Sequence, residues 1–434
     1  MKDIHYPPIV HWEVTSACNH NCIHCYNYWR KNPDIIEECE KPDLLELAEK
    51  IASFKPVVVV VTGGEPLLVY KELKEPLILL KNSGIFVSVN TNAALVTDEI
   101  ADFFAKNSIS TFVSLPCGYP DVCDQITNKK DSLDNLSKGV RKLVNAGVFV
   151  SVNMVVSQLN KSYIYETAEY AKKEMGVKHF FASRVSKPIN STSEFNKELL
   201  NRQEIEDMLN QLVRIKHELG LNISIGAPIP ACLLQEEEMF QEFAFLKSCT
   251  AGRFSYCVDF SGNIKACVRE ECTYGNIKNE DFQTIWSRMS PWRTEQYVAS
   301  ECGECKHRWL CKGGCRLESY PFTKKMGGID PVARPEKLPL RFQKQQNLGD
   351  TKFPLSAEFL LLEGVRFVKE DFGYRVSCQT NYTYITPEFA EYLMSNNQFT
   401  LNKLIETFGA PYDVVNSLFN LLVSKGIIKE RRTC

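Results

Sequence analysis

The sequence predicts an α/β protein with a parallel sheet in its first half, then a small cysteine-rich region and a C-terminal domain of strands and helices. Three observations carry this prediction. Short apolar segments alternate with amphipathic segments between residues 9 and 182. Cysteines then cluster between residues 249 and 315. A stretch with several Gly and Pro residues, 327–339, follows this cluster and indicates a linker.

Six apolar segments have the length and composition of buried strands. They are Ile9–Val14, Val57–Val61, Ile85–Val89, Thr111–Leu115, Val148–Val155 and Lys178–Ala182. Amphipathic segments between them, such as Ser132–Ala146 and Tyr163–Met175, have apolar residues at helical spacing and end before a glycine. Repeated strand–helix units predict a parallel sheet with right-handed crossovers. Binding sites in such sheets collect at the carboxyl ends of the strands.

The loop after the first strand carries three cysteines, Cys18, Cys22 and Cys25. Three thiolates on one loop suit three irons of a four-iron cluster and leave the fourth iron open. One alternative is a structural zinc site, which needs four ligands and therefore His20 or His24 as well. A disulfide framework is disfavoured because the chain is long and its first residues lack the apolar core of a signal peptide.

Composition excludes several classes of protein. The chain has 434 residues, of which 44% are hydrophobic, so about two or three domains with a large core are expected. A net charge of −2 argues against binding nucleic acid through bulk charge. The apolar run Val57–Val61 is far too short to span a bilayer. We expect a cytoplasmic protein without membrane segments, in which most of the 17 cysteines serve metal ligation.

The loop after the second strand reads Thr62-Gly-Gly-Glu-Pro66. Gly63 and Gly64 allow close approach of a ligand, and Glu65 offers an acceptor for a cationic amine. Alone this is a weak signal, since a Gly-Gly turn after a strand is most often only a turn. The Gly-Gly-Glu-Pro loop becomes a stronger signal for a ligand site because the strand before it lies next to the strand that carries the cysteine loop.

Together the two loops resemble the radical SAM superfamily, whose C-x3-C-x2-C and Gly-Gly-Glu-Pro motifs both match here in the expected order. The resemblance implies a partial (β/α)6 barrel and a four-iron cluster whose open iron binds S-adenosylmethionine. It also implies that one electron cleaves the cofactor to a 5′-deoxyadenosyl radical, which abstracts a hydrogen atom from the substrate. The cofactor supplies this chemistry and the protein positions it.

The resemblance further implies contacts to S-adenosylmethionine. Gly63, Gly64 and Glu65, with Pro66 completing their motif, would hold the methionine amine, and Tyr26 would lie against the adenine. Later strand ends offer polar side chains for the ribose and carboxylate: Asn90, Asn92, Ser114, Asn153, Ser183 and Arg184. The alternative for each is a polar residue satisfied within the protein. The segment Ser114–Cys117 lacks the acidic residue usual in the family, which leaves the ribose contacts open there.

The second group of cysteines follows the register Cys302-x2-Cys305-x5-Cys311-x3-Cys315, with Cys249, Cys257 and Cys267 upstream. This resembles the SPASM extension of radical SAM enzymes, which carries two auxiliary four-iron clusters. The resemblance assigns Cys249, Cys257, Cys267 and Cys315 to the first cluster, and Cys302, Cys305 and Cys311 to the second. The enzyme would then hold three [4Fe–4S] clusters. A zinc ribbon on the last four cysteines is the alternative.

The sequence departs from the SPASM pattern after Cys315, because residues 316–377 contain no cysteine. Cys272 or Asp330 is a candidate for the missing ligand, or an iron of the cluster stays open. The remaining thiols are expected to be ordinary core or surface residues: Cys39, Cys117, Cys123, Cys232, Cys378 and Cys434.

The last part of the chain predicts a winged-helix domain. Phe359–Val368 and Tyr374–Ile385 suggest a hairpin around residues 371–373, and three helical patterns follow. Pro387 fits a first-turn position and Thr400 a helix cap before Leu401–Phe408. The stripe of the last helix comprises Val414, Val415, Leu418, Leu421 and Leu422.

This layout resembles the PqqD-like recognition element of ribosomal peptide maturation systems. The resemblance implies that a leader peptide adds a strand to a sheet edge within residues 359–385. A DNA-binding winged helix is the alternative, but the last helix pattern, 413–425, carries a single lysine and no arginine.

We therefore predict a radical SAM core over 1–230, a SPASM domain over 231–326, a linker over 327–350 and a leader-binding domain over 351–434. The predicted reaction is a thioether or carbon–carbon crosslink in a ribosomally made precursor peptide, with flavodoxin or ferredoxin as electron donor. A SPASM oxidase or epimerase and a zinc-binding winged-helix regulator are the alternatives. Among possible general bases, Glu270, Glu271 and Asp259 stay open, as does the oligomeric state.

Overall fold

The computed structural model describes residues 6–27, 43–234, 237–243, 248–305, 308–335, 351–370 and 372–431. Residues 336–350 of the predicted linker, and Cys39 and Cys434, lie outside this part of the chain. In the described part, no helix is both long and apolar enough to cross a membrane.

One large sheet dominates the first 280 residues. Its strands are β1 (Ile9–Glu13), β2 (Val58–Thr62), β3 (Phe86–Thr91), β4 (Ser110–Ser114), β5 (Val150–Val156), β6 (His179–Arg184), β7 (Asn222–Ile225), β8 (Ser255–Val258), β9 (Asn263–Lys265) and β10 (Gly275–Asn276). They follow the order β10-β9-β8-β1-β2-β3-β4-β5-β6-β7. All neighbours from β8 to β7 pair in parallel, whereas β9 and β10 run antiparallel.

The six predicted strands are confirmed within two residues at each end, in the predicted order. The sequence analysis missed β7 and β8, which extend the sheet on opposite sides. Both are short, and the half-exposed β7 lacks the apolar run that marked the others. β8 lies beside β1, so it joins the cysteine-rich region directly to the predicted barrel.

Helices connect the strands and pack on one side of the sheet. Those up to residue 243 are α1 (Leu44–Ser53), α2 (Tyr70–Asn82), α3 (Asp98–Lys106), α4 (Pro120–Thr127), α5 (Ser132–Asn145), α6 (Ile164–Met175), α7 (Arg202–Leu219) and α8 (Glu237–Phe243). The core between helices and sheet contains Trp12, Val59, Val89, Leu136 and Leu209, all fully or almost fully buried. Apolar burial on this face supplies most of the driving force for folding.

The other face of the sheet carries more polar side chains. Parallel pairing puts Asn90 beside Phe112, and Ser114 beside Asn153, on this second face. Three of the side chains predicted to contact the cofactor, Asn90, Ser114 and Asn153, therefore share one face. They stand near the carboxyl ends of β3, β4 and β5.

The cysteine-rich region has little regular structure beyond β8–β10. Its helices are α9 (Phe282–Arg288), α10 (Ser290–Arg293), α11 (Arg308–Cys311) and α12 (Tyr320–Thr323). Single 3-10 turns occur at Pro66–Val69, Lys161–Tyr163, Ser193–Glu198, Ala231–Leu233, Glu295–Tyr297 and Ser300–Cys302.

The C-terminal part contains β11 (Glu358–Leu361), β12 (Arg366–Glu370), β13 (Gly373–Cys378), β14 (Asn381–Ile385), α13 (Pro387–Ser395), β15 (Gln398–Thr400), α14 (Leu401–Phe408), α15 (Tyr412–Ser424) and β16 (Ile428–Glu430). β12, β13 and β14 form one antiparallel sheet, and β15, β11 and β16 form another. The predicted hairpin is confirmed at the pair Glu370 and Gly373, although each predicted arm contains two strands. The part has its own core, which includes Phe359 and Phe419.

Two predicted details of these helices have different outcomes. Thr386 and Thr400 cap α13 and α14 through their hydroxyls, as predicted for Thr400. The predicted stripe of the last helix is wrong at Val414, which is 58% exposed. The buried positions of α15 are Val415, Asn416, Phe419 and Leu422. Phe419 at its centre sets the buried face and turns Val414 toward solvent.

The sheet β12–β14 contacts the large sheet at the amino ends of β1, β2 and β3. Arg375, which is fully buried, donates hydrogen bonds to the carbonyls of Tyr6 and Lys55. Arg366 donates to the carbonyls of Gly84 and Pro56. Each carbonyl belongs to a residue just before one of those strands, so this contact lies at the edge opposite to the cysteine loop.

Candidate functional site

The cysteine loop follows β1 and is held by backbone hydrogen bonds to the end of α4. The N–H of Asn21 donates to Thr127 O (3.0 Å), and the N–H of Ile23 donates to Ile126 O (2.9 Å). Within the loop, Cys25 N–H donates to Cys22 O (3.2 Å). Cys18, Cys22 and Cys25 are all half-buried and free of disulfides. The fold thus brings the three predicted ligands to the carboxyl edge of the sheet.

The glycine loop after β2 packs directly against the cysteine loop. Gly64 N–H donates to Thr15 O (2.7 Å), and Glu65 N–H donates to Ala17 O (2.8 Å). A Cβ on Gly64 would lie 1.9 Å from Ala17 O. Only glycine fits there, because any side chain would push the two loops apart. The glycines thus allow close approach to the cysteine loop, and close approach to a ligand stays a prediction.

Glu65 is buried, and its carboxylate orders the ends of two strands. Oε1 accepts hydrogen bonds from Leu67 N–H (3.0 Å) and from the Thr91 hydroxyl (2.7 Å), while Oε2 accepts from Asn92 N–H (2.7 Å). Burial raises the pKa of this carboxyl, and the three donors oppose that shift. A role for Glu65 at the methionine amine stays a prediction. Its contacts here fix the loop that carries Gly63, Gly64 and Pro66.

The donor set of the cysteine loop fits a four-iron cluster. Each thiolate of such a cluster binds its own iron, so the sulfur atoms stand further apart than around one ion. A zinc ion instead holds all its sulfur ligands at about 2.3 Å. Among the described residues, no three His, Cys, Asp or Glu side chains are close enough to hold one metal ion. Neither His20 nor His24 therefore joins two of these thiols in such a site.

The polar residues predicted at the cofactor occupy different settings. Asn92 donates through Nδ2 to Asn19 Oδ1 in the cysteine loop (2.7 Å). Asn153 accepts through Oδ1 from the Ser183 hydroxyl (2.7 Å), so these two predicted residues meet. Ser114 is exposed at the end of β4. Contacts of these side chains and of Asn90 with the cofactor stay predictions.

Arg184 and Tyr26 have protein partners that the sequence did not suggest. Arg184 pairs with the Asp330 carboxylate through both Nη groups, and both side chains are buried. Removal of the Tyr26 hydroxyl from water raises its pKa, and Glu13, Cys25 and the thiol of Cys267 add to the shift. Tyr26 therefore lies between the cysteine loop and the cysteine-rich region. Whether either residue also contacts the cofactor stays a prediction.

The four thiols predicted for the first auxiliary cluster are electrostatic neighbours. Burial raises the pKa of Cys315 to about 12, with contributions from the neighbouring thiols of Cys249 and Cys267. Burial also raises the pKa of Cys257, again with a contribution from Cys267. Cys257 lies in β8 beside β1, and Cys267 follows β9. The strand pairing with β1 therefore positions this group next to the cysteine loop.

Buried ion pairs surround these thiols. Lys265 donates to Glu13 Oε2 (2.7 Å), and both side chains are buried. Burial raises the pKa of Glu13 to about 7 although Lys265 opposes this. Arg269 donates to Glu318 Oε1 (2.6 Å) and contacts Cys315 Sγ (3.5 Å). Glu13 is the only carboxylate of β1, which is the one sequence signal for the first pair.

Two of the carboxylates considered as general bases have structural partners. Glu270 accepts from Ala266 N–H (3.0 Å) and from the Tyr274 hydroxyl (2.9 Å). Asp259 accepts from Ser261 N–H and Asn263 N–H, both at 2.9 Å, and so caps the turn before β9. These contacts shape the auxiliary region, and a role as base stays open.

The three thiols predicted for the second auxiliary cluster line a small cavity. Cys302, Cys305 and Cys311 surround it, and Cys232 lies on its wall as well. The sequence analysis had taken Cys232 for an ordinary thiol. Cys232 lies 70 residues before Cys302 and outside the four-cysteine register, so the sequence does not indicate this proximity.

Known proteins resemble this chain over most of its length. The sequence profile of the radical SAM superfamily matches residues 12–171. An Fe-coproporphyrin III synthase of Methanosarcina barkeri is 24% identical, covering 75% of this chain and 87% of its own. The mycofactocin maturase MftC of Mycolicibacterium smegmatis is also 24% identical, covering 84% of this chain and 94% of its own. The structure of Streptococcus suis SuiB bound to precursor peptide SuiA has the same fold, with a TM-score of 0.60, 16% identity and 76% of each chain covered.

These matches overturn one alternative, the zinc-binding winged-helix regulator. The matched segment contains both loops whose contacts were described above, on adjacent strands of the parallel sheet. Such a domain implies S-adenosylmethionine and one four-iron cluster. Ligation of this cluster by Cys18, Cys22 and Cys25 stays a prediction. Residues 12–171 therefore form a radical SAM domain, and the chain is an enzyme.

Proposed function

We propose that this enzyme modifies a ribosomally made precursor peptide and installs a thioether or carbon–carbon crosslink in it. One observation carries the proposal. The chain continues past the cysteine-rich region into a three-stranded antiparallel sheet, followed by three helices, that is anchored on the catalytic sheet by Arg366 and Arg375. A separate unit fixed to an enzyme core suits a substrate that is recognised away from the atoms that react.

The edge strand β14 supports peptide binding by strand addition. Among the described strands, it pairs with β13 alone, which leaves its other edge for a further strand. An extended leader would bind there through main-chain hydrogen bonds, with side-chain pockets supplying specificity. Tyr382 and Tyr384 lie on the face of β14 that carries Arg375, so the leader would bind mainly through the backbone of this strand. The winged-helix and PqqD-like character of this unit belongs to the proposal.

The catalytic end of the proposal rests on the two loops. Cys18, Cys22 and Cys25 would hold the first cluster, and Gly63 and Gly64 would line the adjoining cofactor site. The reduced cluster supplies the electron that cleaves S-adenosylmethionine and so initiates hydrogen abstraction. Glu65 and its three donors would keep the glycine loop rigid during that reaction.

The cysteine-rich region would hold two auxiliary four-iron clusters, which brings the total to three. The grouping of Cys249, Cys257, Cys267 and Cys315 supports the first of them. A crosslink removes two hydrogens from the peptide, so the reaction needs an electron acceptor, and an auxiliary cluster meets that need. Flavodoxin or ferredoxin would exchange electrons with the enzyme.

The decisive experiment is co-expression with the short open reading frames that neighbour the gene. We expect one peptide to lose the mass of two hydrogens when it is co-expressed with the wild-type enzyme. The same peptide should keep its full mass when it is co-expressed with a variant in which Cys18, Cys22 and Cys25 are all replaced by Ala. The same triple variant should still bind the leader. An epimerase would leave the mass of the peptide unchanged in H2O and would add one deuterium to it in D2O. The absence of any modified peptide among the neighbours would contradict the proposal.

A second candidate is chemistry on an iron porphyrin, because relatives called heme or Fe-coproporphyrin III synthases align with 73–77% of this chain. The two candidates differ in which substrate stimulates 5′-deoxyadenosine formation. We expect the peptide to stimulate it and Fe-coproporphyrin III to leave it unchanged. The reverse result would favour the porphyrin. An Arg375→Ala variant sharpens the comparison, since only a peptide substrate should depend on how the C-terminal sheet is anchored.

A further inference from the structure

Four thiols line the cavity of the second auxiliary group. Cys302 ends a 3-10 turn, Cys305 follows it, and Cys311 ends α11. Cys232 reaches the same cavity from the turn Ala231–Leu233, which comes from a distant part of the chain. The spacing of the cysteines in the sequence indicated Cys302, Cys305 and Cys311, whereas only the fold places Cys232 beside them.

The four thiols share the wall of one small cavity. Its other lining residues are Pro230, Ala231, Arg308, Gly313, Ala333 and Pro335. Cys232 therefore faces the same cavity as the three predicted ligands.

Hydrogen-bond donors already point at these sulfur atoms. Arg334 N–H donates to Cys232 Sγ (3.1 Å), and Ala231 N–H donates to Cys311 Sγ (3.3 Å). Arg202 donates to the Cys232 carbonyl and so brings a guanidinium close to this residue. Backbone donors and a nearby cation stabilise thiolates and the sulfurs of iron–sulfur clusters. The surroundings of Cys232 thus suit a thiolate ligand.

The other two candidates for this ligand are committed elsewhere. Both oxygens of Asp330 accept from Arg184, and Oδ1 also accepts from Val332 N–H (3.2 Å). Cys272 is exposed, and its neighbours are Thr273, Glu270 and the tyrosines 274 and 297. None of those residues lines the cavity.

We infer that Cys232 is the fourth thiolate ligand of the second auxiliary cluster, together with Cys302, Cys305 and Cys311. This inference rests on the proposed binding of a four-iron cluster by the latter three. It replaces the downstream cysteine, absent from residues 316–377, with one that precedes the whole cysteine-rich register. A cluster with four protein thiolates has no open iron for substrate, so this cluster serves electron transfer.

The test begins with the full chain carrying Cys18→Ala, Cys22→Ala and Cys25→Ala, so that only auxiliary clusters remain. Into this background we introduce Cys232→Ala, Cys302→Ala or, as the matched control, Cys272→Ala. Iron, acid-labile sulfide and zinc are counted per chain after anaerobic reconstitution, and the reduced protein is examined by electron paramagnetic resonance. None of these measurements depends on turnover.

We expect about eight irons in the background and in Cys272→Ala, and a loss of about four in Cys302→Ala. Cys232→Ala should lose about four irons, or keep them with a shifted resonance and a three-iron signal after mild oxidation. If Cys232→Ala fails to fold, Cys232→Ser replaces it as the test variant. It keeps the side-chain size, and replacing sulfur by oxygen should shift the resonance.

Two results would overturn the inference in distinguishable ways. If Cys302→Ala loses a cluster while both Cys232 variants keep the iron and spectrum of the background, the cluster exists without Cys232. If the background holds only about four irons and Cys302→Ala loses none, or if zinc occupies the site, the second cluster itself is absent and that part of the proposed function fails as well.

Discussion

The cysteine loop and the cysteine-rich region both carry thiols proposed to bind iron–sulfur clusters. The fold holds the two sets of thiols in place in different ways. Cys18, Cys22 and Cys25 lie on one loop, which backbone hydrogen bonds attach to its neighbours. The later cysteines come from several elements, and buried ion pairs such as Lys265–Glu13 hold those elements together. A site encoded by local spacing is therefore rigid because of its backbone, whereas a site encoded by tertiary contacts depends on side chains far apart in the chain.

The largest effect is expected at the first of these regions. Replacing Cys18, Cys22 and Cys25 together by Ala should abolish S-adenosylmethionine cleavage, because the cluster loses all its protein ligands. Formation of 5′-deoxyadenosine by the reduced protein measures this. Leader binding by the C-terminal sheet provides the control and should be retained. Continued formation of 5′-deoxyadenosine would show that the loop is not the cluster site.

Gly64→Ala should reduce S-adenosylmethionine cleavage at least about tenfold, which corresponds to roughly 1.4 kcal/mol or more. The added Cβ would collide with Ala17 O and displace the backbone that carries the ligands. Gly220→Ala is the matched control, because a Cβ there meets open space and carries only the strain of a left-handed residue, about 1 kcal/mol. Equal activity of the two variants would mean that the loop contact is unimportant.

Asp330→Ala tests the side-chain contacts that hold the second region. It leaves the buried guanidinium of Arg184 without its carboxylate and should destabilise the protein by about 3–5 kcal/mol. Chemical denaturation measures the loss, and Arg184→Met combined with Asp330→Ala should recover part of it. Iron content of the folded protein should stay unchanged. A loss of about four irons would instead make Asp330 a cluster ligand.

The last prediction concerns the pH dependence of stability. Burial raises the pKa of Glu270 from its ordinary 4.5 to about 7. A carboxyl with a raised folded-state pKa contributes stability that is fully present below pH 4.5 and is lost as the pH rises through 7. The free energy of unfolding should therefore fall less in Glu270→Gln than in the wild type between about pH 5 and 8. The difference between the two losses should be about 2–3 kcal/mol. Parallel pH profiles of thermal unfolding would contradict the assignment.

The contrast between local spacing and long-range contacts also explains which features the sequence could predict. Periodicity and glycine stops encode β1–β6 and the helix caps locally, so those elements were predicted within two residues. The Arg184–Asp330 pair spans 146 residues, and the Lys265–Glu13 pair spans 252. No local pattern encodes such partners. The position of Cys232 on the same cavity as Cys302 is likewise not encoded locally. The prediction for Val414 was wrong because Phe419 sets the buried face of its helix.

For the proposed peptide substrate, the anchoring of the C-terminal sheet by Arg366 and Arg375 would set a minimum spacer length. The anchor lies at the amino ends of the strands and the cysteine loop at their carboxyl ends, and β1 alone has five residues. At about 3.3 Å per residue, this strand is roughly 17 Å long. A peptide held at one edge and modified at the other therefore needs a spacer of at least about five extended residues. Shortening that spacer in a precursor should leave its affinity intact and prevent its modification.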